Sequence, residues 1–526
     1  MALTPGYGET PIPMTTAARF DRLMREPPGG AELKSRTLRG GAFAMGAEAV
    51  EFFLRLGSLV VLARLLLPEH FGLIAMVTAL TSIAERFKDL GLSIATVQRE
   101  RITHEQVSTL FWVNALAGVV LVLVVAALAW PIARFYDEPR LFAVTLAIAS
   151  SFFWSGITVQ HQALLRRQMK FSRIALIQVG SSALSVVVAI VLALLDFGYW
   201  ALVAREVSRG VFMALGSWLF MPWIPGRPAR SEGIRSMLVF GGDVTAFNLV
   251  AFLASSLDQI LIGKLFGATP LGLYRQGVNL VLAPIVQLTY PVNSVAESAL
   301  SRLQGEPEKY RRYYVRILGT LSLATMPLAA FLAVFAEEIV RVALGPKWLA
   351  AAEFFRILAF AAFLRPAMST PGFVMVTQGK SRRYFWWGLW GSMVLATLVV
   401  AGSQWGPVGV AWAQVVSTYL LLLPTLYWGL KGTPIGLGDF AAAVYRPLLA
   451  SIAMAAALYA LKQVSLLAGH PLATLLGGAV LAIPLYFGTW LLMPGGRDYL
   501  SNLVGQISSL VSPIGTAPVR EDASPG

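Results

Sequence analysis

The chain of 526 residues is far more apolar than a soluble protein. Hydrophobic residues make up 56% of the sequence and charged residues only 13%, against about 45–50% and about 25% in soluble domains, so the composition predicts a polytopic membrane protein. The net charge of +14 lies mostly in short loops between apolar segments, which indicates membrane orientation and anionic lipid instead of nucleic acid. The chain has no cysteine, which excludes disulfides, thiol nucleophiles and thiolate metal sites.

Both ends of the chain are polar. Residues 1–34 mix prolines and glycines with scattered charges and show no apolar core of a secretory signal, so a flexible cytoplasmic tail is predicted. Residues 496–526 are predicted to form a second cytoplasmic tail. Its first part is modestly amphipathic and suits either a helix on the membrane surface or a solvated segment.

Between these tails, apolar segments alternate with short polar loops. A membrane-spanning helix needs about 20 mostly apolar residues, and about fourteen segments satisfy this, which predicts an all-α polytopic membrane protein. The loops are too short to hold a globular domain, so function must reside in the helix bundle. The predicted spans cover approximately 38–62, 70–95, 107–129, 141–161, 172–195, 199–221, 234–262, 270–300, 313–336, 351–376, 384–403, 407–430, 446–463 and 472–493.

Lysine and arginine collect in alternate loops. Clusters occur at 166–173, 309–312 and 380–383, whereas the loops near 196–198 and 404–406 have none. Because basic loops stay in the cytoplasm, both termini are predicted to be cytoplasmic, as an even number of spans also requires.

The sequence also contains a long internal repeat. Shifted by 200 positions, the stretch 64–73 aligns with 264–273, so that Gly72 falls on Gly272. A similar shift relates 196–202 to 404–410. The repeat predicts two related lobes.

Several ionisable residues lie within the predicted spans, where they are costly and usually face a cavity or each other. Glu51 and Arg55 are four positions apart and can neutralise each other on one helical face; a role in substrate binding is an equal alternative. The acidic candidates for ion coupling or ion pairing are Glu48, Glu51, Asp243 and Asp258. The basic candidates for a substrate-binding cavity are Arg365, Arg209, Arg55, Arg205 and Arg275.

Depth in the membrane distinguishes the arginines. Arg209 and Arg365 lie ten or more residues from the outer ends of their spans, about 15–20 Å at 1.5 Å per residue, which is too deep for their side chains to reach the interface. Arg275 is about one turn from the outer end, where its side chain is expected to reach the membrane surface. Arg365 precedes Pro366 and Pro371, which should break the helix; the alternatives are an anion site and a kink that only shapes packing.

The sequence lacks the constellations of soluble enzymes. Gly263 and Lys264 have neither the earlier glycine nor the following Ser or Thr of a phosphate-binding loop, and the four histidines have no ligand-spaced neighbours. The chain is therefore predicted not to be an enzyme and to hold no metal or other cofactor. Asp258 and Lys264, at the end of the seventh predicted span, are placed to form an interfacial ion pair.

Five short motifs occur in combination: LARLLLPEHFGL at 62–73, DLGLS at 89–93, DQILIGK at 258–264, LGLY at 271–274 and LGPKW at 344–348. Together they resemble the Wzx-type oligosaccharide flippases, or polysaccharide transporters. These belong to the MOP exporter superfamily, together with MurJ-type lipid II flippases and MATE multidrug exporters.

The resemblance covers about residues 35–430 and implies a fourteen-helix protein with two pseudo-symmetric six-helix lobes. These would be 35–230, with spans 1–6, and 231–432, with spans 7–12; two extra helices would follow in 433–495. The family implies a flippase of undecaprenyl-diphosphate-linked oligosaccharides in the bacterial inner membrane, for lipopolysaccharide O-antigen, capsule or exopolysaccharide synthesis. An H⁺ or Na⁺ gradient would be involved, and membrane lipids and the polymerase and glycosyltransferases of the pathway would be partners.

Two alternatives stay open. A MATE-like ion-coupled exporter of cationic small molecules would favour an acidic cavity, but the deep residues of the sixth and tenth spans include more arginine than acid. A membrane polysaccharide polymerase or ligase should have a substantial external loop carrying Arg or His, and the sequence offers none.

Overall fold

The computed structural model shows an all-α protein and describes residues 20, 31–87, 91–99, 102–228, 256–464 and 470–497. Within these ranges there are seventeen α-helices and two short 3₁₀ turns, and no strand. The helices are α1 Ala31–Leu65, α2 Pro68–Phe87, α3 Leu92–Gln98, α4 His104–Tyr136, α5 Arg140–Arg167, α6 Phe171–Leu194, α7 Tyr199–Phe220, α8 Leu257–Phe266, α9 Ala268–Arg302, α10 Pro307–Val334, α11 Ala336–Ala343, α12 Ala351–Thr377, α13 Ser381–Gly402, α14 Gly406–Leu420, α15 Leu422–Leu430, α16 Leu437–Val464 and α17 Pro471–Leu492.

The chain divides into two compact units, each assembled from separate stretches. The first unit comprises residues 1–283, 340–358 and 382–421, and the second comprises 284–339, 359–381 and 422–526. The lobe boundaries at 34, 230, 432 and 495 stay a prediction. The predicted tails lie almost entirely outside the described residues, and α1 already begins at Ala31.

Six helices match the predicted spans within three residues at each end, namely α6, α7, α9, α12, α13 and α17, whereas α1, α4, α5, α10 and α16 extend six to nine residues beyond theirs at one end. The predicted span 70–95 is divided, because α2 ends at Phe87 and α3 begins after Gly91, whose φ of 66° does not continue a helix. The predicted span 234–262 falls mostly outside the described residues. Within the described ranges, eight helical segments are long and apolar enough to cross a membrane, so the chain is a multi-pass membrane protein, while the count of fourteen stays a prediction.

Close packing of α4 against α5 helps to build the first unit. A side chain at Gly118 would collide with the carbonyl oxygen of Phe152, and one at Gly156 with that of Asn114. The two glycines therefore let the helix backbones approach closely, as small residues do in membrane bundles. Asp137, with φ of 54°, ends α4 and turns the chain towards α5.

In the second unit, α12 continues through Pro366 and Pro371, so the expected break of this helix is wrong. Pro371 has no N–H to offer the carbonyl of Ala367, but the Thr370 hydroxyl donates to that carbonyl at 2.9 Å. The Tyr314 hydroxyl of α10 lies 2.9 Å from the same Thr370 oxygen. Hydroxyl groups thus replace the bond that the proline removes, as membrane helices allow.

Candidate functional site

A polar cavity of about 800 Å³ lies within the first unit, lined by residues of α2, α3, α5, α7, α8 and α9. Serine, threonine and glutamine side chains form much of its wall. Among the described residues of the lining, the charged ones are three arginines, Arg166, Arg209 and Arg275, and one carboxylate, Glu206. This described part of the wall is therefore net basic.

Four of these helices begin at the same end of the cavity. Gly72 of α2 and Gly272 of α9 are in backbone contact: an added side chain at Gly72 would overlap the carbonyl of Ala268, and one at Gly272 would overlap the carbonyl of Pro68. Nearby, Glu69 pairs with Arg140 at the start of α5, and residues 198–199 at the start of α7 lie against His70. We call the helix ends at 68–72, 137–140, 198–199 and 268–272 the closed face.

Basic residues beside the closed face make reciprocal contacts between the two predicted lobes. Arg64 donates to the carbonyl of Val342 at 2.5 Å, whereas Lys264, its counterpart 200 positions later, donates to the Asp137 carboxylate at 2.8 Å. Each basic residue thus joins its own helix end to a segment of the other predicted lobe. Trp348 donates likewise to the carbonyl of Ala63, at 2.8 Å.

Arg275 lies one to two turns inside the closed face. Its Nη1 atom donates to Gln259 Oε1 at 2.7 Å and to Thr78 Oγ1 at 3.2 Å, and its charge interacts favourably with Glu206 and Asp258. The expectation that this side chain reaches the membrane surface is wrong. The amide and hydroxyl acceptors of the cavity wall hold it inside.

Arg209 is joined to a buried acid. Glu51 of α1 is 5% exposed; its Oε1 accepts from the Ser182 hydroxyl at 2.7 Å and lies 3.5 Å from Arg209 Nη2. The predicted pair of Glu51 with Arg55 is present at 3.6 Å, and Glu48 lies 4.0 Å from Arg55. Arg55 itself is exposed. Arg209 therefore lines the cavity and also contacts the buried Glu51 carboxylate.

Asp258 does not pair with Lys264, so that prediction is wrong. Its Oδ2 accepts from the Tyr274 hydroxyl at 2.6 Å and from the Gln414 amide at 3.2 Å. Lys264 turns instead to Asp137 because α8 ends at Phe266, beside the turn that carries this aspartate.

Arg166 and Arg167 end α5 but have different surroundings. Arg167 donates to the carbonyls of Thr96, Val97 and Arg99, which fixes the end of α3. Arg166 is exposed and lines the cavity, and within the described ranges no hydrogen bond or ion pair engages its guanidinium.

The other candidates lie elsewhere. Arg205 of α7 is partly buried but is not among the described residues that line the cavity. Arg365 is exposed on α12, in the second unit, so its proposed partnership with Arg209 stays a prediction. Asp243 lies outside the described residues.

The sequence places Glu206 in the sixth predicted span, beside Arg205 and Arg209, but does not show that Glu206, Arg166 and the uncharged wall belong to one site. Glu206, Arg209, Gly210 and Met213 all line the cavity, and their three- and four-residue spacing marks one face of α7. This spacing could have indicated from the sequence that these four residues line one surface. For Arg166, the sequence pattern indicates only a basic cytoplasmic loop.

The cavity suits an anionic, hydroxyl-rich ligand. Arginine stays charged and offers a planar fork to phosphate oxygens, while serine, threonine and glutamine can exchange hydrogen bonds with hydroxyl groups. Within the described ranges, no group of three or more His, Asp or Glu side chains is arranged to hold a metal ion.

The sequence profile of a family described as "Polysaccharide biosynthesis protein" matches residues 61–353, more than half of the chain. The teichuronic acid biosynthesis protein TuaB of Bacillus subtilis (strain 168) is 26% identical over 381 residues, 71% of this chain and 78% of that protein. The lipopolysaccharide biosynthesis protein WzxC of Escherichia coli (strain K12) is 22% identical over 74% of this chain and 80% of WzxC. The succinoglycan biosynthesis transport protein ExoT of Rhizobium meliloti (strain 1021) is 23% identical over 77% and 82%.

Two solved structures share the fold. The lipid II flippase MurJ superposes with a TM-score of 0.70 at 14% identity, covering 87% of this chain and 98% of MurJ. A multidrug resistance MATE transporter of the MOP superfamily gives 0.57 at 14% identity, covering 74% and 95%. The predicted resemblance and the all-α transporter fold are confirmed. The names of ExoT, MurJ and the MATE protein describe transport and not catalysis, in agreement with the prediction that the chain is not an enzyme.

Proposed function

We propose that this chain, which belongs to the polysaccharide biosynthesis protein family, is a flippase for undecaprenyl-diphosphate-linked oligosaccharide repeat units. It would move them from the cytoplasmic to the periplasmic leaflet of a bacterial inner membrane, with both termini cytoplasmic. The named relatives that act in polysaccharide biosynthesis support this proposal, as does the fold shared with a lipid II flippase.

One observation carries the proposal: the cavity in the first unit is polar and net basic, inside a multi-pass membrane protein. A lipid-linked sugar diphosphate has a head that hydrocarbon excludes and a tail that hydrocarbon retains. Arg209 and Arg275 can neutralise the diphosphate. Hydroxyl and amide groups of the wall can replace the water around the sugars.

Alternating access supplies the movement. The contacts of Gly72 with Ala268 and of Gly272 with Pro68 seal the cavity one to two turns outside Thr78 and Arg275. Under the loop-charge rule, this closed face is periplasmic. Translocation requires these contacts to separate while the opposite end of the cavity closes, driven by an H⁺ or Na⁺ gradient.

A MATE-like exporter of cationic compounds fits the cavity less well. Its fold is shared, but a cation would meet three arginines and one glutamate in the described lining. Like charges in a cavity of low dielectric repel strongly.

Deletion of the gene in its own host tests the proposal. Lipid-linked oligosaccharide should accumulate intact on the cytoplasmic leaflet, because assembly continues while translocation stops. Accumulation on the periplasmic leaflet would contradict the flippase and favour a polymerase or ligase. The wild-type gene on a plasmid should restore export, and an Arg209→Ala gene should not.

A further inference from the structure

We propose that Arg166 forms a second anion-binding site, which receives the diphosphate at the end of the cavity opposite the closed face and passes it towards Arg209 and Arg275. This inference rests on the proposed function. The basic cavity would then contain two anion sites: an entry site at Arg166 and a deep site at Arg209 and Arg275.

Helix geometry places the arginines at different depths. Counted from the helix starts at the closed face, Arg275 lies about 10 Å deep, Arg209 about 15 Å and Arg166 about 39 Å, at 1.5 Å per residue. A diphosphate that contacts Arg209 cannot reach Arg166, about 24 Å further along. The two positions must therefore bind it in sequence.

A polar stripe on α5 connects the two levels. Ser151, Ser155, Thr158, Gln162 and Arg166 all line the cavity, at spacings of three or four residues that keep them on one helical face. Ser151 is about 17 Å deep, close to the level of Arg209. The stripe thus runs from the deep site to the entry site.

The stripe retains binding capacity for sugars. The Ser151 and Thr158 hydroxyls donate to the carbonyls of Ile148 and Trp154, at 2.7 and 2.6 Å, which satisfies their protons but leaves their oxygen lone pairs as acceptors for sugar hydroxyls. Such contacts are weak and repeated, which suits a ligand that must move along them.

Two neighbouring arginines at this end have structural partners. Arg167 is bound to three carbonyls at the end of α3, and Arg173 donates to the carbonyl of Phe220 at 2.9 Å. Arg166 lines the cavity without such a bond in the described part of the chain. Arg173→Ala is therefore a matched control, since it removes the same charge nearby from outside the cavity lining.

The test uses the purified full chain in nanodiscs and measures binding of undecaprenyl diphosphate, with undecaprenol as the neutral probe. Arg166→Ala should slow association about tenfold, with dissociation nearly unchanged; Arg166→Lys should be milder and Arg173→Ala neutral. In vesicles, Arg166→Ala should raise the KM for flipping and spare kcat, whereas Arg209→Ala should lower kcat. Equal association rates for Arg166→Ala and Arg173→Ala would overturn the entry site while leaving the flippase intact.

Two further results distinguish a failure of the entry site from a failure of the proposed flippase function. If the wild type does not distinguish undecaprenyl diphosphate from undecaprenol, the proposed function itself fails. If Arg166→Ala folds poorly, Arg166→Cys can be labelled in this cysteine-free chain with an aminoethyl or a neutral methyl thiosulfonate. Recovery of fast association with the cationic label alone supports the entry site, and equal recovery with both labels rejects it.

Discussion

Gly72 and Ala268 approach so closely that a single methyl group on Gly72 would overlap the Ala268 carbonyl oxygen. Gly272, the counterpart of Gly72 in the sequence repeat, makes the equivalent contact: a methyl group on Gly272 would overlap the Pro68 carbonyl oxygen. Only glycine permits this contact at either position. The matched glycines of the sequence repeat thus form the seal of the closed face.

Valine at Gly72 or Gly272 should therefore open the closed face. Overpacking costs about 1–3 kcal/mol, enough to change the ratio of closed to open molecules at least about fivefold. Ser82→Cys lines the cavity and reports the opening through its labelling by a membrane-impermeant maleimide added outside. Gly57→Val is the control, because an added side chain at Gly57 meets nothing within 4 Å. Unchanged labelling in both variants would exclude this seal.

The pair of Lys264 with Asp137 predicts how the closed face responds to pH. The hydrogen bond from Lys264, and its charge, hold the pKa of Asp137 below its ordinary value of 3.8. A carboxyl with a lowered pKa stabilises the folded contact above its unfolded pKa, and this contribution is lost as the pH falls through the folded pKa. The labelling rate at Ser82→Cys, divided at each pH by that of a freely exposed cysteine to correct for the thiolate fraction, should therefore stay constant from about pH 8 to about pH 5. A change in this range that Asp137→Asn abolishes would contradict this role of the pair.

Arg209 should have separable effects on stability and transport. Arg209→Ala leaves the buried Glu51 with one cationic partner fewer, at a cost of about 1–2 kcal/mol after allowance for the partial exposure of Arg209. Glu51→Ala in the same chain should restore the melting temperature in detergent. It should not restore flipping, because the diphosphate still lacks its arginine. Recovery of flipping in the double variant would show that Arg209 serves only to neutralise Glu51.

Thr370 should stabilise α12 through the carbonyl that Pro371 leaves without a partner. Thr370→Val removes this hydroxyl at nearly constant volume and should cost about 1–2 kcal/mol, visible as a lower melting temperature. Ser369→Ala is the control, since Ser369 donates to the carbonyl of Pro366, which the Thr370 N–H can already serve in a continuous helix. Equal melting temperatures for the two variants would refute the compensation.

The sequence predicted what depends on local pattern. Apolar length located most helices, and the 200-position shift matched Gly72 with Gly272. The depth of Arg209 followed from its distance to the helix end. Periodicity gives depth and face along one helix, but it does not show which other helix that face meets.

The remaining features depend on contacts between distant segments. The bond from Ser182 to Glu51 spans 131 positions, and that from Arg275 to Thr78 spans 197. The short distance of Arg275 from the helix end predicts that its side chain reaches the membrane surface. The structure places Gln259 and Thr78 close enough to accept hydrogen bonds from the Arg275 guanidinium. Periodicity along one helix does not show this proximity.

Reconstitution tests the central claim most directly. Purified protein in vesicles that carry undecaprenyl-diphosphate-linked oligosaccharide in the inner leaflet should bring the sugars within reach of an externally added glycosidase, at a rate that rises with protein content. Arg209→Ala at equal abundance should lose most of this activity, about tenfold or more. Wild-type protein that leaves the sugars protected, or an Arg209→Ala variant that flips them at the wild-type rate, would contradict a flippase whose basic cavity carries the diphosphate.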